Sequence, residues 1–338
     1  MEYNSFNDLI NDNLLINPSR KYWLVRTMGG SYYGEFVRGG YIAIGYNAVS
    51  LNHLNTLSEN LNIAKDELKR IFKEVYPSIS NTGYPVSQLI RFFSEIKDGD
   101  IVIIPSEAAK HVAIGVVDGS TYETGEVSSD SNICQFRKRR NIDWKHYSRR
   151  SVLPPALQLV FNSRHIISDV TSYADHIEGM VNDIYKRDDT ITLVLRIRTQ
   201  KDVALEDFCS LQSLEPLVYK FCKLNQIEYS ERISMKIQME SPGWLKLSSK
   251  NGISSILILG LFILFINGGG VEIGGGQSFK MYTNGIFGSI SEYLDREADR
   301  ELIQTAKRAI DSLQIKNPDD LKPIIEMLEK KNESRNKY

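Results

Sequence analysis

The sequence predicts an α+β protein. It reads as an N-terminal β-barrel dressed with helices, a small strand–helix–strand module, one apolar segment and charged C-terminal helices. Three observations carry this. Short, wholly apolar runs with strand composition crowd the first half of the chain. Helical periodicity takes over between and after them. One stretch, Ile253–Ile266 (ISSILILGLFILFI), is apolar throughout, and no charge occurs from Asn251 through Val271.

The elements follow in order. Phe6, Leu9, Ile10, Leu14 and Leu15 recur at helical spacing. Tyr22–Thr27 (YWLVRT) reads as a strand on which Tyr22 and Trp23 alternate, so only one of them is expected to face inwards. Gly29-Gly30 supplies a turn, and Phe36-Val37 is expected to extend towards Gly39-Gly40. Tyr41–Tyr46 (YIAIGY) is a second strand. Leu54–Val75 carries a helical apolar stripe that Pro77 ends. Val86–Ile96 is a further helix, stopped by Gly99. Strands follow at Asp100–Pro105 (DIVIIP) and Val112–Val117 (VAIGVV), then a polar loop at Asp118–Ser131. Extended pieces are expected at Ile133–Arg140 and Asn141–Trp144.

Pro154-Pro155 marks a break, after which Ala156–Tyr185 is expected to be helical. Thr190–Arg198 and Ile233–Met239 alternate as strands around a helical Leu205–Leu224, interrupted near Pro216. Ser289–Ser312 reads as one amphipathic helix and Leu321–Lys331 as a last one. The expected domains are residues 1–185, a module at 186–240, an apolar, glycine-rich segment at 241–276, and charged helices at 277–338.

Composition bounds the function. The chain has 338 residues with 41 Lys+Arg against 42 Asp+Glu, so it is no uniformly basic coat for nucleic acid. Cys134, Cys209 and Cys222 form no disulfide framework, which fits a reducing, cytoplasmic setting. No secretory leader is expected from MEYNSFNDLINDN. His53, His111, His146, His165 and His176 lack metal-site spacing, and Gly268–Gly276 lacks the Lys-Ser/Thr ending of a phosphate-binding loop. No nucleophile with its base is evident. We therefore expect no metal, no cofactor and no enzyme.

The ordered motifs resemble a known family. The residues that carry the likeness are Tyr22–Arg26 (YWLVR), Tyr41–Tyr46 (YIAIGY), Gln88–Asp100 (QLIRFFSEIKDGD), Ile101–Pro105 (IVIIP) and Ala113–Val117 (AIGVV). Arg140–Trp144 (RNIDW), Asn162–Ser168 (NSRHIIS) and Tyr173-Ala174 complete the set. In order and spacing this half is similar to the N-terminal domain of Mrr-type restriction proteins, which is related to EVE, ASCH and other PUA-like folds. The resemblance implies a PUA/EVE-like barrel whose concave pocket holds a base, modified or not, taken out of a duplex.

On that reading Trp23, Tyr32, Tyr33, Tyr46, Tyr84 and Trp144 are candidate stacking faces. Arg26, Ser87, Gln88 and Arg91 are candidates to read edges or a phosphate. Arg137–Arg150 holds seven Lys+Arg against one Asp, so Arg137, Lys138, Arg139, Arg140 and Lys145 are expected along a nucleic-acid backbone. The family's nuclease domain has no counterpart. Glu95-Ile96-Lys97 has the E-x-K form of a nuclease site but lies within the barrel motif, and we read it as a chance match.

The apolar stretch admits three readings. As a helix its 14 residues span about 21 Å, short of a roughly 30 Å hydrocarbon core unless extended through Val271. Flanking Lys246 and Lys250 suit an inner-membrane anchor. A second reading is a helix or strand pair buried in an oligomer core or a single-domain interior, and a third is a segment that stays hidden until activation and then inserts. The leading expectation is a bacterial, anti-phage sensor–effector. Its barrel binds nucleic acid or a nucleotide, Ile253–Ile266 acts at the membrane, and the chain assembles as a homo-oligomer. The alternative is a soluble oligomeric nucleic-acid-binding module whose apolar segment is an assembly interface, working with a separate nuclease.

Overall fold

The computed structural model describes residues 14–55, 61–125, 133–199, 201–229, 232–238, 243–268 and 286–325. The chain is α+β, with a curled six-stranded half-barrel sheet, a second small sheet and C-terminal helices. It divides into two compact units. One spans Ser19–Val181; the other joins residues up to Pro18 to everything from Asn182 onwards.

In the first unit the strands are β1 (Tyr22–Val25), β2 (Tyr41–Ile44), β3 (Ile101–Pro105), β4 (His111–Glu123), β5 (Lys138–Arg149) and β6 (Ile167–Asp169). They run in the order β2-β5-β4-β3-β1-β6. β1 and β3 are parallel, with Trp23 opposite Val102, and the other pairs are antiparallel. Both faces of this sheet are covered. One carries Trp23, Val25, Val102 and Ile104 under a layer that includes Phe36, Phe72 and Leu89. The other carries Tyr22, Leu24, Ile101 and Ile103 under Leu153, Leu157, Phe161 and Ile177. Double cover explains why β1, β2 and β3 read as continuous apolar runs. It also corrects the expectation that only one of Tyr22 and Trp23 faces inwards, since each is buried on its own side.

The helices over the first face are α1 (Tyr33–Gly39), α2 (Leu51–Asn55), α3 (Leu61–Val75) and α4 (Gly83–Ile90), the last continued by a wide turn at Arg91–Glu95. α1 replaces the extended Phe36-Val37 expected from sequence. Gly40 ends it in the left-handed conformation (φ 65°), and Phe36 turns into the core. Ala156–Tyr185 is not one helix. α5 (Pro155–Gln158) starts on its proline and stops after four residues, β6 then pairs antiparallel with β1, and α6 (Ala174–Val181) closes the unit. The two extended pieces expected before Trp144 are one long strand, β5, paired with β4 through two register shifts. The N-terminal helix expected around Phe6 falls mostly outside the described residues, as does most of Gly268–Gly276.

The second unit is built on a sheet of β7 (Ile184–Arg187), β8 (Thr190–Ile197), β9 (Ser234–Gln238) and β10 (Gly243–Lys250), in the order β7-β8-β10-β9. All pairs are antiparallel. α7 (Leu205–Ser210) and α8 (Leu214–Leu224) connect β8 to β9, so strand, helix and strand occur in the expected order. β9 nevertheless pairs with β10, a strand the sequence does not predict. β10 places Leu245 in the core and alternates it with the more exposed Lys-rich face only in part, because Lys246 is also buried.

α9 (Ile253–Ile266) is the hub of this unit. Ile256, Leu257, Ile258, Leu261, Phe262 and Ile263 are each 3% exposed or less. They pack with Leu193, Phe221, Tyr293 and Ile310 in one cluster. A helix apolar on all sides is enclosed on all sides. No described helix is long and apolar enough to cross a membrane. Ile253–Ile266, expected as a membrane segment or as an assembly interface, is covered within this chain. The module 186–240, the apolar segment and the C-terminal helices share this single core. The single helix expected over Ser289–Ser312 is broken into α10 (Ile286–Leu294) and α11 (Arg300–Leu313), with a short 3-10 turn at Glu297–Asp299.

A candidate anion site at the ends of two parallel strands

The residues expected to form a base pocket make internal contacts, and Trp23, Tyr32, Tyr33, Tyr46 and Trp144 lie in or against one core cluster. Trp23 is fully buried, and its Nε1 donates to Asp100 Oδ2 at 2.8 Å. Asp100 also accepts the Lys21 and Lys97 amides, so this carboxylate ties the start of β3 to β1. Gln88 is buried and accepts the Ile167 amide at 2.7 Å, while Arg91 Nη1 donates to the Ile167 carbonyl at 2.9 Å. The pair clamps edge strand β6 onto α4. Ser87 Oγ donates within its own helix to the Tyr84 carbonyl. Trp144 Nε1 donates to the Phe36 carbonyl, fixing α1. Tyr46 lies edge-on to Phe72 and Tyr76. Of the E-x-K residues, Glu95 pairs with Arg91 at 3.9 Å. Among the described residues no cluster of His, Cys, Asp and Glu could hold a metal.

The basic run is equally divided. Lys138 is wholly buried, and its Nζ donates to the Tyr46 and Val49 carbonyls, both at 2.9 Å. Arg140 is 4% exposed and donates to the Phe92, Phe93 and Gly119 carbonyls at 2.9–3.0 Å. Both were expected along a phosphate backbone; both instead satisfy carbonyls inside the unit, because alternate residues of β5 point into the core. Arg139 lies 4.2 Å over the Tyr41 ring, Arg137 faces Glu123, and Lys145 pairs with Asp143.

Arg26 is the exception. It follows β1, next to Thr27, and lines a cavity of about 290 Å³ with Gly29, Gly30, Pro105, Ser106, Ala108, Ala109, Arg150 and Phe161. The cavity opens where parallel strands β1 and β3 end. Ligands of open sheets commonly bind outside the carboxyl ends of such strands. Thr27 Oγ1 donates to the Pro105 carbonyl at 2.5 Å and holds the two strand ends together. Two turns form the rim, Met28–Gly30 and Glu107–Ala109. Met28, Gly29, Gly30, Ala108 and Ala109 all have positive φ, from 51° to 108°. At Met28, Ala108 and Ala109, where unlike at glycine this conformation is costly, such strain persists where surrounding packing enforces it, and it clusters at functional sites. A Cβ on Gly30 would lie 2.1 Å from the Glu107 amide nitrogen, so the turns touch and only glycine fits there.

Two guanidinium groups converge on this space. Arg26 Nη2 donates to the Phe161 carbonyl at 2.5 Å and to the Ser163 carbonyl. Arg150 Nη2 donates to the Gln158 carbonyl at 3.2 Å, and its guanidinium lies 5.5 Å over the Phe161 ring. Burial, and then the charge of Arg150, pull the Arg26 pKa below its ordinary value. None of the cavity-lining residues is a carboxylate. Carbonyl contacts aim the two forks but leave their positive charge uncompensated. Such a place is suited to an oxyanion, which guanidinium binds bidentately.

The sequence singles out Arg26 as a candidate but not its setting. Arg150 was noticed only as the end of a basic run, and Gly29-Gly30 only as a turn. Thr27, Ala108 and Phe161 carry no local signal.

Residues 21–156 match the model of a family described as a domain of unknown function (DUF8426). No curated protein matches the chain.

Proposed function

We propose that the Ser19–Val181 unit is a sensing module that binds a phosphate-bearing component of nucleic acid, a nucleotide or one nucleotide of a strand, in the Arg26–Arg150 cavity. The observation that carries this reading is the convergence of two guanidiniums on a concave space lined by no carboxylate. Phe161 adds an apolar wall. At about 290 Å³ the space stands at the lower end of small-ligand pockets. The motif order of the unit, similar to the sensing domain of Mrr-type restriction proteins, supports a role in bacterial defence. There the 182–338 unit would pass the signal on or recruit a partner.

The test is calorimetric titration of the full chain with nucleoside monophosphates and short oligonucleotides at two salt concentrations. Wild type should bind at least one of them, more weakly at high salt. Arg150→Ala should weaken that binding at least tenfold, about 1.4 kcal/mol. Equal affinity in wild type and variant would remove the cavity from the function.

A further inference from the structure

We infer that the cavity takes a terminal phosphate, a phosphomonoester dianion, in preference to an internal phosphodiester. This rests on the phosphate reading above and narrows it. The first argument is charge. Arg26 and Arg150 supply two positive charges with no lining carboxylate. A diester carries one negative charge and leaves one guanidinium uncompensated in a partly desolvated space, whereas a monoester dianion matches both.

The second argument is donors. The structure commits Nη2 of each arginine to backbone carbonyls, leaving Nε and Nη1 of both for a ligand. A terminal phosphate presents three free oxygens to these donors; a diester presents two. The third is shape. A diester needs a path in and a path out, and the contact of Gly30 with Glu107 closes the rim between the two turns.

The charge argument has a pH signature. A phosphomonoester loses its second proton with a pKa of about 6. Between about pH 7.5 and pH 5 the dianion fraction therefore falls about tenfold, and affinity should fall with it, while a diester does not titrate there. The lining holds only Arg26 and Arg150 as titratable groups. On the adjoining turns and strands stand Glu107, Lys110, His111 and Arg164, all exposed.

The experiment titrates the full chain with each ribonucleoside 5′-monophosphate and its 3′,5′-cyclic counterpart, a matched monoester and diester. Short oligonucleotides with and without a 5′-phosphate form a second arm. The expected result is at least tenfold preference for monoester over cyclic diester, about tenfold weakening from pH 7.5 to pH 5, and loss in Arg150→Ala. Arg150→Lys, which keeps the charge without the fork, should weaken binding less and guards against misfolding as the cause. Binding of free monophosphates marks a nucleotide signal, and binding restricted to 5′-phosphorylated strands marks a strand end; either supports the inference. Diesters bound as well as monoesters, with no pH dependence, would overturn it while leaving the phosphate reading intact. No binding by any probe would overturn both.

Discussion

Lys138 shows what a single basic residue does when its strand turns it inwards. Burial pushes its ammonium pKa down to about 8. The unfolded chain, with an ordinary lysine at about 10.4, binds the proton more tightly between those values. Stability therefore rises with pH from about 8 to about 10.4, and below pH 8 the penalty is fully present. The gain is up to about 3 kcal/mol, at about 1.4 kcal/mol per pH unit. Urea titrations of wild type and Lys138→Met across this window should show wild type gaining on the variant. Parallel curves would mean that Lys138 titrates like a surface lysine. The same residue marks a limit of sequence reading. Arg137–Arg150 is legible as basic, but whether each residue meets solvent or a carbonyl depends on strand phase and on carbonyls from distant turns. Gly30 is the converse, a glycine whose role is set by Glu107, far along the chain. Gly30→Ala should cost about 2 kcal/mol, from strain and collision, and lower the melting temperature by about 4–8 °C. An unchanged melting curve would deny the contact between the turns.

At the scale of elements, legibility followed cover. β1, β2 and β3 are read from sequence because burial on both faces makes them apolar throughout. α9 is read as a helix for the same reason, but what surrounds it is invisible locally: lipid and a protein core select the same side chains. Leu193, Phe221 and Tyr293, which cover it, come from three other elements. α1 and β10 escaped notice because α1 is flanked by glycines that resemble turns, and β10 mixes polar and apolar residues on both faces. The enclosure of α9 makes a sharp prediction. Phe262 is fully buried, with ring centres 5.5 Å from Phe221 and 5.8 Å from Tyr293. Phe262→Ala should destabilise its unit by about 3–5 kcal/mol in detergent-free denaturation. A membrane-facing Phe262 would leave that transition unchanged.

At the scale of the whole molecule, the two units have separate cores. Distant sites without shared partners act additively. Phe262→Ala should then leave the ligand affinity of the Arg26–Arg150 cavity within about twofold of wild type, measured below the variant's melting temperature. A large loss of affinity would show the units to be thermodynamically coupled. The division itself was only partly legible. A break near residue 185 is signalled by the change from short apolar strands to alternating ones, but the membership of residues 14–18 in the later unit is not, because it depends on a backbone bond from Ile16 to the Lys186 carbonyl at 2.8 Å.

That bond has a consequence for biogenesis. Chains are made from the N-terminus at about 5–20 residues per second, and domains fold as units. Ser19–Val181 has all its strands once it leaves the ribosome, so it can fold during translation as an insert. Leu14 and Ile16 emerge first yet wait for Lys186, and for the core beyond it, to be synthesised. During that interval their apolar side chains lack their native cover, the kind of exposure that chaperones shield.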